Sequence, residues 1–313
     1  MATSSRAIDH TCDPVVRDVY EHNANYRVRD INPRSKTCIV FFSGNGLYFP
    51  NEEAEFTEKV VRRDRYEWER IASGHTFGEN TGRIIFVRDV FKQCYVEGIN
   101  STLCNVDKVG ELLHELTAGF EIITVGNSAG GYAATLFGCI LGAKRIVSIS
   151  GQFFFPEERI RQEPLLEKRQ NDETYSKYYD LSHLLRKYRG TLFYIHSSRA
   201  PQDIPQTRYV ADLGSANIFP IAVDSDGHGV GLFPEHYAHF LFQDAEEIKT
   251  RLVSGKTYSQ ISLFFRTVKA TRKENARVLK RWARALAIAA IRRLGILSIT
   301  QTAYRTILNA VRR

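Results

Sequence analysis

The sequence predicts an α/β protein: a mostly parallel, doubly wound sheet with a short cap insertion and a basic C-terminal helical tail. Three observations predict it. Continuous apolar runs of strand length recur along the chain, segments of helical length separate them, and Arg266–Arg313 holds a large surplus of basic side chains.

The first run is Thr37–Phe42 (TCIVFF), whose unbroken apolar character fits a strand buried on both faces. Arg83–Val87 (RIIFV), Ile122–Val125 (IITV), Arg145–Ile149 (RIVSI), Thr191–Ile195 (TLFYI) and Asn217–Val223 (NIFPIAV) follow the same pattern. Pro220 cannot donate to a ladder, so the last of these reads as an edge or bent strand. Between the runs, Asp107–Thr117 sets Val109, Leu112, Leu113 and Leu116 on one helical face, and Gly131–Leu141 is rich in small residues suited to close packing on a sheet. Strand and helix alternate, which argues for a parallel sheet covered on both sides. Residues 15–30 are expected to form an earlier hairpin. Phe153–Arg189 breaks the rhythm: charged and carrying Tyr175, Tyr178, Tyr179 and Tyr188, it reads as a cap inserted over a pocket, although a surface helix pair has the same composition. A helix over Tyr237–Val253 precedes the Ser254–Gly255 boundary, which divides a catalytic domain (1–254) from a tail (255–313).

Composition bounds the remaining classes. The chain has 313 residues, 43% apolar, 12% aromatic and 25% charged, as in globular proteins and unlike disordered or disulfide-scaffold chains. No run of eighteen apolar residues offers a membrane-spanning helix. Met1–Pro14 is polar and carries no apolar signal core, so a secretory signal is not expected. Five scattered cysteines, an odd number, suit a reducing compartment, and a cytoplasmic location is expected. The net charge of +8 is unevenly placed: thirteen Lys/Arg and one acid, Glu274, lie in Arg266–Arg313, leaving thirty basic against thirty-four acidic side chains elsewhere.

Chemistry is concentrated in Gly126-Asn127-Ser128-Ala129-Gly130, which has the pattern G-x-S-x-G. An apolar run precedes it and a small-residue helix follows, the strand–turn–helix context of a nucleophile elbow. The glycines are steric requirements of so sharp a turn, which lifts the serine hydroxyl clear of the sheet near a helix N-terminus. A nucleophilic serine needs a base, and the base an orienting acid, in chain order Ser, Asp/Glu, His. The loop after TLFYI offers Asp203, and the loop after NIFPIAV offers His228 between two glycines. Asp224 and Asp226 are rival acids beside His228, and His196, at a strand end, reads as a core histidine, with a pocket residue as the alternative. Two N–H donors are needed for an oxyanion. Ala129 supplies one, and Asn45 and Gly46 in the loop Ser43-Gly44-Asn45-Gly46-Leu47 are candidates for the other. Phosphate-loop, dinucleotide, H-E-x-x-H and paired C-x-x-C motifs are absent, so neither a nucleotide cofactor held by them nor a catalytic metal is expected.

Together the SGNG loop, the GNSAGG elbow, the D-I-P segment and the GHG segment resemble the α/β-hydrolase superfamily over about Cys38–Val253. The resemblance implies an eight-stranded, mostly parallel sheet and a Ser128–Asp203–His228 triad. SGNG in place of the HGGG of lipases argues against a lipase. More loosely, the chain is similar to bacterial capsule and surface-polysaccharide O-acetyltransferases of that fold, through its general arrangement and basic tail. The expected function is serine-dependent ester hydrolysis or O-acyl transfer on an ester or carbohydrate substrate, with acyl-CoA as co-substrate for transfer and no tightly bound cofactor. The alternative is a catalytically silent scaffold that binds a partner or polyanion through its tail.

In that tail, Val278, Leu279, Trp282, Leu286 and Ala289 share one helical face and Arg277, Lys280, Arg281 and Arg284 the other, as in a helix lying in a membrane interface. A second helix is expected over Ile296–Val311, after Gly295. The pattern points to an anionic membrane surface, with the protein peripheral on the inner face of the cell membrane, or to a helix docked on the protein's own body through Trp282 and Leu286. Nucleic acid is not expected, since no recognised binding module accompanies the tail.

Overall fold

The structure, a computed structural model, describes residues 6–230, 232, 234–253, 255–260, 262 and 263, together with Lys280 and Ala283. The chain divides into two compact units, Met1–Thr267 and Val268–Arg313, and the expected tail helices lie outside the described residues.

Eight strands build one sheet: β1 (Tyr26–Asp30), β2 (Thr37–Phe42), β3 (Arg83–Val87), β4 (Glu121–Asn127), β5 (Arg145–Ile149), β6 (Thr191–Ser197), β7 (Ile218–Val223) and β8 (Thr257–Tyr258). Their order is β1-β3-β2-β4-β5-β6-β7-β8. β1 runs antiparallel to β3, and every other pairing is parallel. β8 lies past residue 254 and still joins the sheet, against the last two residues of β7.

The continuous apolar strands serve two faces at once. On β2, Cys38, Val40 and Phe42 enter one core with Ala133, Phe137 and Leu113, while Ile39 and Phe41 enter the other with Phe240 and Ile248. This is the two-residue period of a strand covered on both sides. Helices Val106–Thr117 and Ala129–Ile140 cover the first face, and helices Pro234–Phe242 and Ala245–Arg251 the second. With its antiparallel first strand, its crossed-over β2 and β3, and a sharp turn from β4 into Ala129–Ile140, this is the α/β-hydrolase fold.

Two expectations are corrected. Residues 15–30 are a helix, Pro14–His22, followed by β1, and not a hairpin. Asp13 accepts the Val15 N–H as N-cap, Pro14 occupies the first turn, and Val16 and Val19 bury one face. The helix expected over Tyr237–Val253 is two helices, because the Asp244 carboxylate accepts the Glu247 N–H and starts a new one. Pro220 faces Tyr194 on β6, while β8 covers only Ala222 and Val223, so β7 is an edge strand at the proline.

Between β5 and β6 the chain forms short helices Glu157–Gln162, Pro164–Arg169, Glu173–Ser176 and Ser182–Leu185. Tyr179 and Tyr188 bury their rings and find partners for their hydroxyls: Tyr179 donates to Leu166 O (2.7 Å) and Tyr188 to Ala143 O (2.9 Å). A cleft of about 420 Å³ separates Gln152, Pro156 and Arg159 from Gln202, Pro205 and Gln206.

Gly138 tests how tightly the sheet and its helix fit. A Cβ there would lie 2.5 Å from both Ile146 Cγ1 and Thr124 Oγ1, and the Thr124 hydroxyl is held by Ala134 O at 2.7 Å. Alanine would gain about 1 kcal/mol of helix propensity. Overpacking costs about 1–3 kcal/mol and wins. Gly138→Ala is expected to lower the urea unfolding midpoint, and a raised midpoint would contradict this packing.

Candidate active site

β4 delivers the chain into a turn that only small residues survive. Ser128 sits at φ 55°, ψ −119°, a strained conformation for a side-chain-bearing residue. A Cβ on Gly126 would fall 1.9 Å from Gly130 O, and one on Gly130 would fall 2.3 Å from Phe42 O. The turn is fixed by Ser128 N–H donating to Ile149 O (2.8 Å) and by Tyr132 N–H donating to Ser128 O (3.0 Å), the first bond of helix Ala129–Ile140.

Ser128 Oγ lies 2.8 Å from His228 Nε2, and His228 Nδ1 lies 2.7 Å from Asp203 Oδ1. A carboxylate only accepts, so the proton on this side belongs to Nδ1 and leaves Nε2 to accept from the serine. Asp203 opens helix Asp203–Leu213 and is buried at 1% exposure. Its other oxygen accepts from Ser197 N–H and Ser150 Oγ, each at 2.8 Å. Burial alone would raise this carboxyl, but the bonds from His228, Ser197 and Ser150 together hold it below the usual carboxylate range. Ser150 Oγ also accepts the Gly229 N–H at 3.2 Å, tying the histidine loop to the acid.

Of the rival groups, Asp224 is paired with Arg199 and Asp226 is exposed. His196 is buried against Tyr194, ring centroids 5.0 Å apart, and burial pushes its pKa down.

The loop after β2 packs on the elbow, since a Cβ on Gly44 would lie 2.5 Å from Asn127 O. The Gly44 N–H donates to Glu67 Oε2 at 2.5 Å. No acceptor within the described residues takes the N–H of Asn45, Gly46 or Ala129. Burial raises the Glu67 carboxyl, against the Gly44 N–H, which favours its ionised form. Sequence reasoning missed Ser150 and Glu67. The first carried one faint signal, its place at the end of a strand, and the second none.

Among the described residues no group of three or more His, Cys, Asp or Glu side chains is placed to hold a metal ion. The arrangement therefore offers an alcohol, an imidazole that can take its proton, a buried carboxylate behind the imidazole, and backbone donors beside the alcohol.

No family model and no curated protein matches this chain. Solved structures resemble it in fold at low identity. One is a thermophilic esterase from Thermogutta terrifontis, 13% identical over 80% of this chain and 96% of that one, with a TM-score of 0.45. Another is S-formylglutathione hydrolase from Staphylococcus aureus, 12% identical over 69% and 89%, with a TM-score of 0.44. A third is a mutant of the capsule O-acetyltransferase of Neisseria meningitidis serogroup A in complex with CoA, 11% identical over 75% and 98%, with a TM-score of 0.48.

A carboxyl depressed on folding contributes stability above its unfolded pKa, near pH 4, and loses it as pH falls through the folded value. Asp203→Asn is expected to cost about 2 kcal/mol at pH 7, the scale of a hydrogen bond to a charged group, with the gap to wild type closing at the acid end. Denaturant midpoints at pH 7 and in strong acid measure it, and an equal gap at both would contradict the assignment.

Proposed function

We propose that this protein performs serine-dependent acyl chemistry through a covalent acyl-enzyme, either ester hydrolysis or O-acyl transfer. The observation that carries the reading is the unbroken chain Ser128 Oγ–His228 Nε2–Asp203, with contacts of 2.8 and 2.7 Å, at a strained turn beside unengaged backbone donors. Ser128 Oγ attacks the carbonyl carbon of an ester or thioester while its proton passes to His228 Nε2. The oxyanion is held by the N–H of Ala129 and those of Asn45 and Gly46. Asp203 stabilises the imidazolium without taking its proton. Collapse breaks the bond to the leaving alcohol or thiol, which takes the proton from His228. Water or a sugar hydroxyl then gives a proton to His228 and attacks the acyl-serine, releasing acid or acylated sugar and restoring Ser128. For transfer we propose an acyl-CoA thioester as donor and a surface polysaccharide as acceptor. The segment 153–189 would serve as a cap, favouring transfer by keeping water from the acyl-enzyme.

A fluorophosphonate probe is expected to label wild type and not Ser128→Ala, with His228→Ala slowed by at least about 10³. No labelling of wild type would instead mark a silent scaffold. Incubation with acetyl-CoA, with and without polysaccharide, separates the two fates: free acetate alone would rule out transfer.

We further propose that Arg266–Arg313 holds the protein peripherally on an anionic membrane, in the cytoplasm. Each basic residue near such a surface contributes about 1 kcal/mol. No helix among the described residues is long and apolar enough to cross a membrane. Removal of 266–313 is expected to abolish co-sedimentation with phosphatidylserine-containing vesicles, and unchanged sedimentation would remove the membrane proposal.

A further inference from the structure

The loop that would hold the oxyanion is fastened on both sides of its two unengaged donors. Before them, Ser43 N–H donates to Val87 O (2.9 Å), and Ser43 O accepts from Tyr95 Oη (2.8 Å). After them, Leu47 N–H donates to Gly44 O (3.4 Å) and Phe49 N–H to Gly46 O (3.3 Å). The remaining donor of the turn, Gly44 N–H, has no backbone acceptor and is taken by the Glu67 side chain at 2.5 Å. Glu67 also lies against Gly46, where a Cβ would meet its Oε1 at 3.4 Å. The carboxyl is itself held in place. The next residue, Trp68, is buried, donates its indole N–H to Phe42 O at 2.8 Å, and meets the Tyr237 ring edge-on at 5.2 Å. Glu67 is half-buried and makes no ion pair among the described residues, so no surface charge network accounts for its place there.

We infer that Glu67 is a positioning residue that clamps the Gly44 N–H, so that the N–H groups of Asn45 and Gly46 face the reacting carbonyl. It rests on the serine chemistry proposed above. Without the clamp, the Gly44 N–H is left in search of an acceptor, and the turn loses the side-chain bond that fixes it at Gly44, next to Asn45. An oxyanion hole acts through donors fixed in advance, and removal of one such donor costs about 10²–10³ in kcat. Removal of a restraint on the donors costs less. The function of the carboxyl is to accept, and a Gln amide oxygen can accept the same N–H, as a neutral acceptor.

Hydrolysis of p-nitrophenyl acetate, the rate of fluorophosphonate labelling, and the amide resonance of isotopically labelled Gly44 test this together. Glu67→Ala is expected to lower kcat by about 10- to 100-fold with little change in KM, to slow labelling in step, and to move the Gly44 amide proton upfield as its short bond is lost. Glu67→Gln is expected to recover most of kcat and of the resonance position. Wild-type kcat in Glu67→Ala, an unmoved Gly44 amide, or a Glu67→Gln as impaired as Glu67→Ala would each overturn the clamp. If wild type is not labelled at Ser128, the serine chemistry fails, while the Gly44 resonance still decides whether Glu67 holds the loop.

Discussion

One residue, Ser128, is held where side-chain-bearing residues rarely stay, and the rest of the site follows from the contacts that hold it. Its backbone conformation costs on the order of 1–3 kcal/mol unless the surroundings over-determine it. They do so by close packing. Gly126 touches Gly130 across the turn, Gly130 touches the carbonyl of Phe42 on the neighbouring strand, and Gly131 is pressed on Gly151 at the end of the next. Three strand ends thus meet at one point with no side chains between them. The loop of Asn45 and the loop of Ser150 approach the serine because nothing at the elbow keeps them away.

Two carboxyls near this point are placed in opposite electrical settings. Asp203 is buried among three donors, and their sum outweighs the desolvation that would otherwise neutralise it. Glu67 is half-buried and has a single backbone donor, and its carboxyl is raised by burial. The first is equipped to face an imidazolium, and the second holds the Gly44 N–H.

Much of the fold could be read from the chain because a sheet buried on both faces needs strands that are apolar throughout, as TCIVFF and RIVSI are. The elbow could be read because its steric demands leave glycine at fixed spacing. Ser128, Asp203 and His228 could be nominated from chain order, since each follows a strand that ends on the same side of the sheet. Other features left no local trace. Asp244 breaks a helix in a stretch whose apolar pattern runs on across the break. The helix start at Asp13-Pro14 did leave a trace, an N-cap and a first-turn proline followed by Val15, Val16, Val19 and Tyr20 at helical spacing. Ser150 and Glu67 gain their importance only through neighbours far away in the chain, Asp203 and Gly44, and a lone serine or glutamate in a connecting segment carries no such information.

The two rims of the sheet differ in how they are finished. A bare strand edge is an invitation to another chain. On one flank, β1 presents Arg27, Arg29 and Asp30, charges that a neighbouring strand could not cover without stripping them of water. On the other, the ladder is shortened to a two-residue stub, and Pro220 removes a donor where β7 would otherwise stand open. Among the described residues, neither rim offers a second molecule a long, uncharged and uninterrupted strand to extend.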